Sequence, residues 1–118
     1  ANIAALEKNF CKDYPGYNLD IKDIDRVEIW KKDFDSLVAA GALPRFNSVR
    51  LGNDHTFGAR VGKPTPVAMV AENDLAVGRF VEHISKSPIW KEAAIFILED
   101  DAQNGSDHVD AHRSTAYV

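Results

Sequence analysis

Cysteine is almost absent from this sequence, since Cys11 is the only one in 118 residues. A single thiol excludes an internal disulfide and a cysteine-rich zinc site. Positive charge is also scarce: lysine and arginine together number 14, against 18 acidic residues, and the formal net charge is -4. This balance argues against a general nucleic-acid-binding protein, which needs a basic face to neutralise phosphates.

Long apolar runs are missing as well. No segment approaches the roughly 20 apolar residues of a membrane span, and the first residues lack the basic and apolar regions of a signal peptide. No GxxxxGK[ST] or GxGxxG pattern is present, so nucleotide binding has no support. The chain instead has 45% hydrophobic and 27% charged residues, which is typical of a globular domain. We predict a single unit over residues 1–118.

Two stretches carry the periodicity of amphipathic helices. Apolar residues recur every three or four positions between Ile21 and Val38, with Asp20 as the predicted N-cap and Gly41 as the predicted stop. A second helix is predicted to begin at Asn73 and to end before Ser87-Pro88. Trp30 and Trp90 are predicted to be buried in the core.

Two other stretches predict strands. Residues 46–51 alternate in polarity, and residues 93–98 are an uninterrupted apolar run, which predicts a strand covered on both faces. Two strands joined through a helix are normally parallel. We therefore predict an α/β fold in which a parallel sheet is flanked by helices.

Acidic and imidazole groups follow both predicted strands. Asp54 and His55 follow the first strand, and Asp100 and Asp101 follow the second. Because ligands bind at the carboxyl ends of parallel strands, these groups are expected to converge on one crevice. Adjacent carboxylates at the end of a buried strand repel one another, so a divalent cation is expected at Asp100 and Asp101.

The identity of that cation stays open among several metals. Oxygen ligands alone favour Mg, Ca or Mn, whereas a histidine ligand, His55 or His108, would admit Zn or iron. Either histidine could alternatively donate to a phosphate or act as a general acid. Alternatively, the acidic residues could cap a helix or pair with Arg113 and Lys91. Support for the site is predicted from Asp54 and from Asp107, His112 and Arg113, of which the last two could equally anchor the loop.

Two motifs carry a resemblance to a known family. They are Leu51-Gly-Asn-Asp-His-Thr56 and Glu99-Asp-Asp-Ala-Gln-Asn-Gly-Ser-Asp-His-Val-Asp-Ala-His-Arg-Ser114, supported by Leu43-Pro44, Glu72-Asn-Asp74 with Gly78, Ile84-Ser-Lys-Ser-Pro88 and Trp90. The chain resembles the C-terminal part of the phosphoesterases that include acid phosphatases and phosphatidylcholine-type phospholipases C, within the alkaline-phosphatase superfamily. It is most similar to bacterial members in which such a domain accompanies a β-propeller.

The resemblance implies a partial alkaline-phosphatase-like three-layer fold and hydrolysis of phosphate esters or phospholipid head groups. It assigns Asp100 and Asp101 as metal ligands, with the metal being Mg, Mn, Ca or Zn, and His55 and His108 as residues that line the phosphate site. It also implies a periplasmic or secreted parent protein. The family's serine or threonine nucleophile lies in upstream segments, so we expect little activity from this chain alone, and we expect a fragment with an open strand edge to self-associate.

Two other functions remain open. Ile97-Leu98-Glu99-Asp100-Asp101 also resembles the acidic strand-end motif of some sugar-nucleotide glycosyltransferases, in which a metal bridges carboxylates to a diphosphate. A non-catalytic acidic domain that binds calcium or a protein partner is the third hypothesis.

Overall fold

The computed structural model describes residues 3–100 and 114–118. Its contacts divide the chain into two units, Ala1–His83 and Ile84–Val118. The regular elements are two helices, α1 (Asp23–Ala39) and α2 (Pro66–Ser85), and two short strands, β1 (Ile97–Leu98) and β2 (Ala116–Tyr117). Short 3₁₀ segments lie at Ala4–Asn9, Asn53–His55 and Trp90–Glu92.

Helix α1 forms where the apolar periodicity predicts a helix. Val27, Trp30 and Phe34 lie on its buried face, at the spacing that brings side chains to one side of a helix. The predicted cap is wrong, because Lys22 occupies the N-cap position and its side chain makes no capping hydrogen bond. Asp20 instead forms an ion pair with Lys63.

The predicted stop at Gly41 is confirmed. Gly41 has a φ of 63°, and its N–H donates to Val38 O at 3.0 Å while Ala42 N–H donates to Leu37 O at 2.9 Å. These two bonds form a Schellman motif, which satisfies carbonyls left over at the end of the helix.

Two glycine substitutions are expected to change stability in opposite directions. Gly41→Ala should lower the free energy of unfolding by about 1–2 kcal/mol, because its backbone is left-handed. Gly78→Ala should raise it by about 0.5–1 kcal/mol, since Gly78 lies inside α2 with open space where a methyl group would go. Urea denaturation measures both changes, and a loss of stability in both variants would contradict the prediction.

Helix α2 begins seven residues before the predicted start, at Pro66 rather than Asn73. Thr65 caps it, since its Oγ1 accepts a hydrogen bond from Ala68 N at 3.2 Å. Proline is preorganised for the first position of a helix and needs no N–H partner there. The Thr65-Pro66 pair was therefore the better start signal, and Asn73 lies inside the helix.

Contacts between the two helices occur in the same order along both. Glu72 contacts the start of α1 at Ile24. The ring centroids of Phe80 and Trp30 lie 4.1 Å apart, and His83 Nε2 lies 2.6 Å from Asp35 Oδ1. The helices therefore run parallel. Their shared core consists of Val27, Trp30, Phe34, Met69 and Ala76.

A parallel pair of helices requires a long connection. Because α1 has 17 residues and rises about 1.5 Å per residue, the chain must return roughly 25 Å before α2 begins. Residues 40–65 make this return, and on the way Arg50 O accepts a hydrogen bond from Tyr14 Oη at 2.7 Å. The predicted strand over residues 46–51 is wrong, because this segment, which lies between the two helices in sequence, has no strand structure.

The predicted α/β fold with a parallel sheet, and the three-layer fold implied by the resemblance, are contradicted. Helical segments make up 48% of the described residues, and the strands of that part of the chain form only one antiparallel pair. In this pair Ile97 lies opposite Tyr117 and Leu98 lies opposite Ala116. The partner of the apolar run is thus a segment near the C-terminal end of the chain, which the prediction of a helix-linked crossover did not consider.

The apolar run at residues 93–98 is covered on one face only. Ala93, Ile95 and Ile97 are half-buried, and the alternate side chains are exposed, with Phe96 at 66% and Leu98 at 70%. The prediction of a strand covered on both faces is therefore wrong. Trp30 is buried as predicted, whereas Trp90 is 45% exposed and is not a core residue.

Within residues 3–100 and 114–118, no helix combines the length and the apolar surface that crossing a bilayer requires.

Candidate functional site

Residues Gly52–Thr56 form a sharp turn in the first unit. Asn53–His55 is one turn of 3₁₀-helix, closed by a hydrogen bond from Thr56 N to Asn53 O at 3.0 Å. Thr56 has a φ of 60°, which is rare for a β-branched residue and costs about 1–3 kcal/mol. Such a conformation persists only where the surrounding structure holds it, and two side chains hold the Gly52–Thr56 turn: Asp23, which is buried, and Glu72, which is half-buried.

Asp23 is the first of these side chains and is completely buried. Its carboxylate accepts hydrogen bonds from Gly52 N at 3.1 Å, from Asn53 N at 2.7 Å and from Asn73 Nδ2 at 2.9 Å. Charge-assisted bonds of this kind are shorter and stronger than neutral ones. The first turn of α1 therefore fixes two consecutive backbone N–H groups of the Gly52–Thr56 turn.

Glu72, from the middle of α2, is the second. It accepts from Asp23 N at 3.2 Å and Ile24 N at 2.7 Å, two N–H groups that a helix start leaves without partners. It also accepts from Asn53 Nδ2 at 2.8 Å. Glu72 therefore caps α1 from another helix and binds the side chain of Asn53 with the same carboxylate.

Arg26 supplies the positive charge of this buried group. It is 4% exposed, and its guanidinium donates to Pro15 O, Gly16 O and Asn18 O at 2.8–3.0 Å. Its Nε lies 3.3 Å from Asp23 Oδ1, which makes an ion pair but not a hydrogen bond of good geometry. Arg26 thus fastens the segment before α1 to the carboxylate that holds the Gly52–Thr56 turn.

The outer side of the turn carries His55. Its ring is exposed, and Nδ1 lies 3.1 Å from Thr56 O. Because a carbonyl oxygen can only accept, Nδ1 carries the hydrogen, and the neutral ring then presents the lone pair of Nε2. Nε2 can accept a proton or bind a metal when the ring is neutral, and can donate to a phosphate oxygen when it is protonated.

The exposed ring of Tyr17 contacts both His55 and the guanidinium of Arg50. The ring of Tyr17 meets that of His55 edge to face, with centroids 6.0 Å apart. The guanidinium carbon of Arg50 lies 5.2 Å from the Tyr17 centroid, within cation–π range. An imidazole and a guanidinium therefore flank one aromatic ring beside the Gly52–Thr56 turn, and both groups are suited to an anion.

Burial raises the pKa of Tyr14, the neighbour of Arg26, from 10.0 to about 12. Because the folded state holds the phenol protonated above its unfolded pKa, this stabilisation is complete below about pH 10 and is lost between pH 10 and 12. Tyr14→Phe should lower stability at neutral pH by about 1 kcal/mol, through the lost hydrogen bond to Arg50 O. It should also flatten the decline of the urea midpoint above pH 10, and parallel pH profiles for the two proteins would contradict the prediction.

The predicted site residues fall in three places. Asp54 is half-buried and His55 is exposed, both in the first unit, while Asp100 is exposed just after β1 in the second. The others, Asp101, Asp107, His108, His112 and Arg113, lie outside the described residues.

The residues on either side of that segment are hydrogen-bonded to each other, since Glu99 N donates to Thr115 O and Ser114 Oγ donates to Glu99 O, each at 3.0 Å. The expected convergence at a parallel sheet edge loses its basis, because no such sheet exists among the described residues.

Over residues 3–100 and 114–118, no three His, Cys, Asp or Glu side chains are arranged to hold an ion. The carboxylates of Asp23 and Glu72 already accept from N–H donors. The fold itself therefore uses these two carboxylates as hydrogen-bond acceptors.

Sequence reasoning missed Asp23, Glu72 and Asn73, although a signal was available. Asp23 precedes Val27 by four residues on the buried face of α1, and Glu72 and Asn73 lie between the buried residues Met69 and Ala76 of α2. A polar residue on an otherwise apolar helical face is expected to be buried and hydrogen-bonded.

Comparison with protein-family models, with curated proteins and with solved structures finds no significant match to this chain.

Proposed function

We propose that this chain forms part of a phosphoesterase, in which His55 of the Gly52–Thr56 turn acts on a phosphate ester. The observation that carries the proposal is the environment of His55: its Nδ1 lies 3.1 Å from Thr56 O, and its ring is exposed on a turn held by the buried carboxylate of Asp23 and the half-buried carboxylate of Glu72. A fixed tautomer with an available Nε2 is what proton transfer or ligation by histidine requires. The resemblance carried by Leu51-Gly-Asn-Asp-His-Thr56 supplies the substrate class.

The chemistry assigned to His55 is proton donation. Hydrolysis forms a bond between phosphorus and an attacking oxygen while the bond between phosphorus and the ester oxygen breaks, and the ester oxygen leaves with a proton. A protonated His55 Nε2 can donate this proton, or it can donate a hydrogen bond to a phosphoryl oxygen while charge develops there. Arg50, whose guanidinium also lies against the Tyr17 ring, adds positive charge as a further contact for the anion. The nucleophile is not among the residues assigned here.

The metal part of the proposal depends on the acidic segment after β1. The resemblance assigns Asp100 and Asp101 as ligands of a divalent cation, which would stabilise charge at phosphorus when bound. His108, in the same segment, is the second phosphate-site histidine of the proposal. What supports this part is the motif itself, together with the pairing of β1 and β2 that joins its flanks.

The test uses the longest natural polypeptide that contains this sequence, with 4-nitrophenyl phosphate as substrate and Mn, Mg, Ca or Zn added in turn. His55→Gln is expected to lower kcat/KM by about 100-fold or more. His83→Gln is the matched control, because His83 is paired with Asp35 on the helices, and it should leave the rate unchanged. Metal-independent hydrolysis that is indifferent to His55→Gln, Asp100→Asn and Asp101→Asn would overturn the proposal.

A further inference from the structure

We infer that Asp23 and Glu72 are positioning residues, which hold the Gly52–Thr56 turn so that His55 is presented in one orientation. Neither side chain is proposed to touch substrate. The inference rests on the proposed function for its consequence in catalysis, but its geometric part can be tested without any reaction.

The hydrogen bonds of Asp23 are concentrated on the turn. Two of its bonds come from the backbone N–H groups of Gly52 and Asn53, which lie 29 and 30 residues further along the chain. These two groups immediately precede Asp54 and His55. A shift in the Asp23 carboxylate therefore moves the backbone that carries the histidine.

Glu72 fixes the same turn through a side chain rather than through the backbone. It binds Asn53 Nδ2 at 2.8 Å and the first N–H groups of α1 at 2.7–3.2 Å. Asn53 is thus held by Asp23 at its backbone and by Glu72 at its side chain. Asn73 completes the arrangement, because its Nδ2 donates to Asp23 Oδ2 at 2.9 Å. This bond attaches the Asp23 carboxylate to α2, the helix that carries Glu72.

A contribution to fold stability does not by itself explain why Asp23 and Glu72 occupy these positions. Buried charges are costly to desolvate, and apolar residues of similar size often stabilise a core as well or better. Here the carboxylates join three segments that are far apart in sequence and support a turn that contains an unfavourable backbone conformation at Thr56. Holding such a conformation beside a reactive side chain is a recurrent feature of functional sites.

The first experiment follows the His55 ring by NMR, with its signals assigned by their loss in His55→Gln. Asp23→Asn and Glu72→Gln keep the size of each side chain but remove a charged acceptor, and both are expected to shift the Nε2-adjacent ring signals. Val27→Ala is the matched control, since it weakens the same completely buried region of α1 without removing a hydrogen bond to the turn, and it should leave these signals in place. Asn73→Ala, which removes only one donor to Asp23, provides a milder variant if Asp23→Asn does not fold.

The second experiment measures hydrolysis of 4-nitrophenyl phosphate by the same variants in the polypeptide used to test the proposed function. Misplacement of a reacting group lowers the rate more than binding, so Asp23→Asn and Glu72→Gln should lower kcat by about 10- to 100-fold with KM little changed. Val27→Ala should keep the wild-type kcat at temperatures where it is folded.

The outcomes separate the two ideas. If the His55 signals stay in place in folded Asp23→Asn, Glu72→Gln and Asn73→Ala, the positioning role is overturned whatever the rates show. If the signals shift while hydrolysis is indifferent both to these variants and to His55→Gln, the geometric inference holds and the proposed function fails. Equal losses of kcat in Val27→Ala and Asp23→Asn would reduce the role of Asp23 to stability and would also overturn it.

Discussion

Replacing Asp23 with alanine is expected to lower the free energy of unfolding by about 3–5 kcal/mol, the cost of removing one partner from a buried ion pair. The substitution leaves Gly52 N, Asn53 N and Asn73 Nδ2 without an acceptor, and it leaves the guanidinium of Arg26 buried without its carboxylate. Since small domains are stable by only about 5–15 kcal/mol, this loss is a large share of the total. Urea denaturation followed by tryptophan fluorescence measures it.

The matched control is Asp25→Ala. Asp25 is exposed and lies in the same first turn of α1, so its loss removes only the favourable interaction of an acid with the start of a helix, at most about 1 kcal/mol. A difference of less than about 1 kcal/mol between the two variants would contradict the buried network described for Asp23. The comparison also separates burial from charge, because both substitutions remove one negative charge from the same turn.

The helices were the part of the fold that local sequence could predict. The stripe of Val27, Trp30 and Phe34 and the left-handed Gly41 are short-range signals, and they placed the body and the end of α1 correctly. The start of α2 was wrong by seven residues, because Asn73 competes with Thr65-Pro66 as a start signal. Asparagine and threonine both favour the cap position, and the proline that follows Thr65 is the local signal that distinguishes the true start.

The strands could not be predicted in the same way, because strand pairing depends on distant partners. Residues 46–51 alternate as a strand does, but the parallel arrangement of α1 and α2 requires that segment as a return path. The apolar run at residues 93–98 pairs with Ala116–Tyr117, about twenty residues away. Periodicity gives the tendency of a segment to extend and does not name its partner.

The candidate site was predicted only at its surface. Asp54 and His55 were identified from residue type and from the motif that carries them. The residues that hold the turn were not, because Asp23 was not singled out and Glu72 was named only as part of the motif that carries the resemblance. Their function in the structure depends on donors about 30 to 50 residues away in sequence, and no local pattern records that distance.

Two tryptophans that look equivalent in sequence are expected to differ sharply in stability effect. Trp30→Ala should lower the free energy of unfolding by about 3–5 kcal/mol, because Trp30 is 8% exposed and packs against Phe34 and Phe80 at centroid distances of 4.9 and 4.1 Å. The His83 ring also meets it edge to face, with ring centroids 5.8 Å apart. Removing the indole therefore leaves a cavity between α1 and α2 that the surrounding side chains cannot fill.

Trp90→Ala is the matched comparison and should cost about 1 kcal/mol or less, because Trp90 is 45% exposed and its removal leaves no enclosed cavity. Circular dichroism reports both transitions without depending on the tryptophan that is removed. Equal losses would mean that the second unit buries Trp90 in solution. That result would restore the prediction of two core tryptophans and would place a second core around the 3₁₀ segment at Trp90–Glu92.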